Sequence, residues 1–162
     1  MRLDSMTKFL LLPTLILLLS CHSSDAQDYK SSIGLRLGTY FAGSFTTYVS
    51  EKASVELLAG ISREANRSQW NFGGFYKIHN SVASEVPTLN WYFGAGLYVR
   101  FTDIESEKVK FAPSGILGME YSLEHTPVNF FVDVSPHYRI NSGPGFDVHA
   151  SMGVRYIINR PE

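Results

Sequence analysis

A single cysteine, Cys21, stands in 162 residues, so no internal disulfide can staple the fold. Runs of 18 or more apolar residues are missing too, which excludes a transmembrane helix. Charge is scarce and nearly balanced. Only 18% of residues are charged and the formal net charge is −1, so no nucleic acid or other polyanion is implied as a partner. What the chain has in quantity is aromatic side chains, 14% of the whole. Little charge with much aromatic surface suits a protein lying largely in lipid.

The first segment reads as a targeting signal. Arg2 and Lys8 precede an apolar run from Phe9 to Leu19, broken only by Pro13 and Thr14. Ser24-Asp25-Ala26 then offers a small-x-small cleavage site, giving a signal peptide over 1–26 and one mature domain over 27–162. Leu18-Leu19-Ser20-Cys21 also resembles a lipobox, and lipidation at Cys21 is the rival route.

Beyond the signal the dominant pattern has period two. Phe146, Val148, Ala150, Met152, Val154, Tyr156 and Ile158 alternate with Asp147, His149, Ser151, Gly153, Arg155 and Ile157, of which only the last is apolar. This is a strand with one oily and one wet face. The same alternation recurs near Ile33–Thr39, Gly43–Ser50, Ser54–Ser62, Gln69–His79, Leu89–Thr102, Phe111–Leu123 and Val128–Ile140. Eight strands joined by short links, with no helical segment, predict an all-β, eight-stranded antiparallel up-and-down transmembrane β-barrel. Strand eight should pair back on strand one. Pairing Ile140 with Phe146 in the last hairpin sets Arg139 against Asp147 and His137 against His149.

Alternation does not say which face is inside, and a soluble periplasmic ligand-binding barrel alternates as well. Three features favour oily-out. Gly34, Gly38, Gly60, Gly73, Gly94, Gly96, Gly118 and Gly153 all fall on the wet face, where a tight interior needs small residues. The wet-face cations Arg36, Lys77, Arg100, Arg139 and Arg155 sit against Glu56, Glu120, Asp133 and Asp147, as a closed lumen that pairs its charges requires. With His137 and His149 these form the expected structural lumen network.

The third feature is aromatic spacing on the oily face. Trp91 and Phe101, Phe111 and Tyr121, and Phe146 and Tyr156 are each ten residues apart. That rises ~33 Å along a strand, or ~25 Å along the membrane normal at a tilt near ~40°, the height of an outer-membrane apolar band. With Trp70, Phe130 and Tyr138 they make the expected aromatic girdles.

The segments Gly34-Leu35-Arg36-Leu37-Gly38, Glu51-Lys52-Ala53-Ser54-Val55-Glu56, Leu89-Asn90-Trp91-Tyr92-Phe93-Gly94-Ala95-Gly96 and Gly118-Met119-Glu120-Tyr121 resemble the small outer-membrane β-barrel proteins of Bacteroidota-type bacteria. The resemblance covers nearly all of the mature chain. It implies a place in the outer membrane, with outer-membrane lipid around the barrel and the barrel-assembly machinery as a partner during insertion. The family is mostly without an assigned activity. Ser151-x-Gly153-x-x-Tyr156-x-Ile158 resembles a barrel-assembly signal, although Asn159-Arg160-Pro161-Glu162 follow it where many such proteins end on an aromatic.

For chemistry, the sharpest constellation is His137, His149, Asp133, Asp147, Ser135 and Ser151, all on the wet faces of strands seven and eight. It admits a Ser-His-Asp hydrolase or a two-His metal site with Asp147, but the interior of an eight-stranded barrel is normally filled by side chains. No catalytic residue, cofactor or metal ligand is therefore expected. The leading role is a non-enzymatic structural or interaction barrel with a closed polar lumen. A narrow path for a small or hydrophobic solute and a lipid-modifying enzyme are the alternatives within the same fold.

Overall fold

The computed structural model describes residues 31–64, 67–82, 88–101, 109–140 and 145–158. The signal peptide, Cys21 and the residues after Ile158 lie outside them.

Eight strands follow one another: β1 (Ser31–Gly38), β2 (Phe41–Ser50), β3 (Ala53–Glu64), β4 (Arg67–Ser81), β5 (Leu89–Phe101), β6 (Val109–Ser122), β7 (Val128–Arg139) and β8 (Gly145–Ile157). Each is antiparallel to its neighbours, and β1 pairs with β8 through Ser32 opposite Ile157 to Gly38 opposite Ser151, closing the barrel. Closure leaves no free sheet edge, so every strand finds ladder partners on both sides. One rim carries the start of β1 and the end of β8. The other carries the ends of β1, β3, β5 and β7.

The faces divide as the alternation requires. Ile33, Leu35, Leu37, Leu57, Trp70, Leu117, Val132, Met152 and Tyr156 are exposed on the outside, whereas Arg36, Glu56, Lys77, Asn71, Asp133 and Arg155 are buried inside. The pattern of a soluble protein is thus inverted, with the oily side out and the charged side in.

The aromatic residues form two bands. Trp70 lies opposite Phe101 and Tyr138 opposite Phe146, with Phe111 beside them, at the rim away from the termini. Tyr121 lies opposite Phe130, with Trp91 and Tyr156, towards the other rim.

The last hairpin corrects one expectation. Phe146 pairs with Tyr138 rather than Ile140, and Tyr156 with Val128 rather than Phe130, a shift of two residues. A two-residue shift keeps every side chain on its face, so alternation alone could not detect it. The side-chain contacts expected from the Ile140–Phe146 register nevertheless form on the diagonal: Arg139 Nε lies 3.0 Å from Asp147 Oδ2, and the His137 and His149 ring centres lie 4.1 Å apart.

The interior is less uniformly polar than the sequence pattern suggests. Leu58, Phe75, Tyr92 and Ile116 form a buried apolar cluster, and Tyr40, Ala42, Tyr98 and Ala112 a second. Inward aromatics sit opposite glycines across the ladder: Phe75 opposite Gly96, Tyr92 opposite Gly118, Phe131 opposite Gly153. A Cβ on Gly118 would stand 2.7 Å from Tyr92 Cζ and 2.6 Å from Asp133 Cβ, so the missing side chain is the space the ring occupies.

Candidate functional site

The strands bring six charged side chains from around the barrel to one buried centre. Glu56 of β3 is its hub. Both of its carboxylate oxygens accept from Arg36 Nη2 at 3.2 Å, Arg155 Nη2 donates at 3.0 Å, and Lys77 Nζ lies 3.0 Å away. Arg36 Nη1 donates to Asp133 Oδ1 and to Ser151 Oγ, each at 2.6 Å. Tyr92 closes that side by donating its hydroxyl to Asp133 Oδ2 at 2.7 Å. Arg155 Nη1 reaches Glu120 Oε2 at 3.2 Å and Asn129 Oδ1 at 3.3 Å.

Flat ring faces support the cations. The Arg155 guanidinium lies 3.8 Å and that of Arg36 4.8 Å from the Phe131 ring centre, while Lys77 Nζ lies 4.6 Å from that of Tyr92. Arg36, Lys77 and Arg155 face Glu56, Glu120 and Asp133, three charges against three. Buried charges of one sign alone would be prohibitive, whereas a balanced, hydrogen-bonded set is tolerated and holds its members in one geometry.

A hydrogen-bonded relay extends from this centre towards the rim bearing the termini. Ser54 Oγ lies 2.8 Å from His79 Nε2, His79 Nδ1 lies 2.9 Å from Glu120 Oε1, and Tyr48 donates to the same oxygen at 3.1 Å. The order Ser, His, Glu matches a nucleophile, base and orienting acid. Ser54 is 0% exposed, however, and Glu120 is also held by Arg155. With no access to the serine, the relay serves as part of the packed interior.

The other polar group lies towards the opposite rim. Tyr98 donates its hydroxyl to Asn71 Oδ1 at 2.5 Å, and Arg100 Nε reaches the same oxygen at 3.1 Å. His137 and His149 pack against each other and against Tyr98 and Tyr40 in tilted and edge-on contacts. Tyr40, in the turn between β1 and β2, is buried, and loss of hydration pushes its phenol above the ordinary range.

The expected residues therefore separate into two levels. Arg36, Glu56, Lys77, Glu120, Asp133 and Arg155 meet in the centre; Arg100, His137, Arg139, Asp147 and His149 gather near the rim. The constellation proposed for chemistry is divided. Asp133 and Ser151 are committed to Arg36, and Asp147 to Arg139, so neither aspartate is free to orient or join the histidines. Ser135 lies opposite His149 in the β7–β8 ladder. Among the described residues no group of three or more His, Cys, Asp or Glu is placed to hold a metal.

Sequence reasoning passed over His79, Ser54, Tyr48, Asn129 and Phe131. The signal for Phe131 was present: an aromatic at inward parity, opposite a glycine.

The chain matches no protein-family model and no curated protein. Among solved structures, the crystal structure of the N-terminal β-barrel domain of Pseudomonas aeruginosa OprF is similar in fold. The TM-score is 0.62 at 14% identity, with 79% of this chain and 95% of that chain covered. At that identity the likeness is one of fold: a closed, eight-stranded, all-antiparallel barrel.

Proposed function

We propose that this chain is an outer-membrane barrel of Gram-negative bacteria, allied to the small barrels of Bacteroidota-type organisms. Its role is structural or interactive rather than enzymatic, and its lumen is closed by a charged plug. The outward apolar surface supports the membrane reading, because a belt of Ile, Leu, Val, Phe and Trp this extensive would aggregate in water. With both described chain ends at one rim, that rim faces the periplasm and the rim of Arg100, His137 and His149 faces outward. Aromatics banded near both rims fit the two interfaces of a bilayer.

The single observation that carries the closed lumen is Glu56, fully buried and held at once by Arg36, Lys77 and Arg155 from three other strands. A solute path would have to break that hub.

The test is a gel-shift on isolated outer membranes with and without boiling, joined to conductance of the purified barrel in planar bilayers. A heat-modifiable band in the membrane fraction with no steady conductance supports the proposal. Recovery in the soluble periplasmic fraction removes the membrane reading, and sustained channel currents remove the plug.

A further inference from the structure

We propose that the crevice between β5, β6, β7 and β8, near the rim away from the chain termini, binds a phosphate group that still carries a proton. Tyr98, Arg100, Lys110, Ala112, His137, Arg139, Asp147 and His149 line it, around a cavity of about 20 Å³. A space of that size takes one oxygen-sized group, so a larger anion would seat one oxygen inside and leave the rest against the rim.

The charge is one-sided. Arg100 and Lys110 stand directly opposite each other on β5 and β6, two cations facing inward across one ladder. Like charges so placed repel. Neither is in an ion pair among the described residues, and the one carboxylate of the crevice, Asp147, belongs to Arg139. Among the described lining residues three cations stand against one anion, a surplus of two positive charges that an anion would neutralise.

The histidines say which anion. Both are almost fully buried, and His137 Nε2 and His149 Nδ1 have no hydrogen-bond partner among the described residues. Such buried atoms are costly unless something satisfies them. Ser114 Oγ stands 2.9 Å from the Ala112 carbonyl oxygen and 2.5 Å from His137 Nδ1; with the hydroxyl proton given to the carbonyl, the serine oxygen accepts from His137 Nδ1. That arrangement puts the His137 proton on Nδ1 and leaves Nε2 presenting a lone pair to the crevice, the tautomer this proposal assigns. The site pairs cationic donors with a neutral acceptor. Its complement is an anion that can also donate an O–H. Hydrogen phosphate and singly protonated phosphate esters have both; sulfate, fully deprotonated near neutral pH, has only acceptors. Orthophosphate and the phosphomonoester of a sugar or lipid headgroup share this chemistry.

The test is calorimetric titration of the whole chain, refolded in detergent micelles, with inorganic phosphate, sulfate and glucose 1-phosphate at matched ionic strength. The imidazole ¹⁵N shifts are followed in the same samples. Phosphate should bind, should move the His137 Nε2 resonance and should exceed sulfate by about tenfold or more, the worth of one hydrogen bond to a charged group. Binding of glucose 1-phosphate as well would identify an ester headgroup as the source; phosphate alone would identify the free ion. R100Q and K110Q, both near the rim, should each weaken phosphate binding about tenfold while keeping the heat-dependent gel shift of the folded barrel. Equal binding of sulfate would overturn the protonated-anion assignment. Absence of any phosphate-dependent heat or shift in the folded protein would overturn the site, as would unchanged affinity in both variants.

Discussion

Replacing Glu56 by Gln keeps the shape of the plug and removes the charge that three cations share. The side chain is fully buried and receives Arg36 at 3.2 Å, Lys77 at 3.0 Å and Arg155 at 3.0 Å. With it the six central charges cancel; without it Arg36, Lys77 and Arg155 face only Glu120 and Asp133, and one positive charge is left uncompensated. Breaking a buried ion pair by removing one partner costs about 3–5 kcal/mol, roughly a hundred- to several-thousand-fold in the unfolding equilibrium. The assay is urea-dependent unfolding in lipid vesicles, read as the fraction keeping the unboiled gel mobility. The double variant E56Q/K77M restores neutrality and should regain a large part of the loss, with a coupling of at least about 1 kcal/mol. A loss below about 1 kcal/mol for E56Q, or strictly additive effects in the double variant, would refute the idea that these charges form one balanced unit.

Three other outcomes follow from the geometry. Gly118→Val puts methyl groups where Tyr92 and Asp133 already stand, 2.7 and 2.6 Å from the first added carbon, and should strongly reduce the heat-modifiable fraction on refolding. In a background lacking Cys21, the pair Y138C/F146C should form a disulfide on mild oxidation because the two residues lie directly opposite, whereas I140C/F146C, displaced by two residues, should not. Leu117→Arg, in the middle of the exposed apolar belt opposite Phe93 and Val134, should destabilise the barrel in a bilayer by about 2–4 kcal/mol, and Ile158→Arg near the rim by about 0–1 kcal/mol, measured by urea unfolding in vesicles.

Much of this architecture is written in the alternation. The predicted strand over Phe146–Ile158 lies within one residue at each end of the observed β8, Gly145–Ile157, because period two over thirteen residues admits no other regular structure. The orientation of the faces was legible for a related reason: glycine and arginine share one face only where large and small side chains must interlock. What alternation cannot encode is axial height. Which cation meets which carboxylate depends on the stagger of strands around the barrel, and that is set by hydrogen-bond register rather than by pattern. Thus His137 and Asp133, neighbours at one parity on β7, belong to different levels, and Asp133 is claimed by Arg36 from β1. The β7–β8 register slipped by two on the same account, since both pairings keep tyrosine and valine outside. Phe75, Phe131 and Ile116 escaped notice because they break the polar side of the pattern. Phe75 and Phe131 sit opposite Gly96 and Gly153, and reading aromatics together with their cross-strand glycines would have found them.

The central claim is that the apolar outside of a plugged barrel faces lipid. The chain has two tryptophans, and they report on it directly. Trp70 lies opposite Phe101 near one rim. Trp91 lies opposite Asn80, ten residues along β4 from Trp70 and so ~33 Å away along the strand. Both indoles are on the outside, 55% and 38% exposed. The measurement is fluorescence quenching of the refolded barrel in vesicles whose acyl chains carry bromine at graded depths. The account predicts that both tryptophans are quenched, most by bromine near the headgroups and least by bromine at the bilayer centre. Tryptophans untouched by brominated lipid but open to a water-soluble quencher would contradict it.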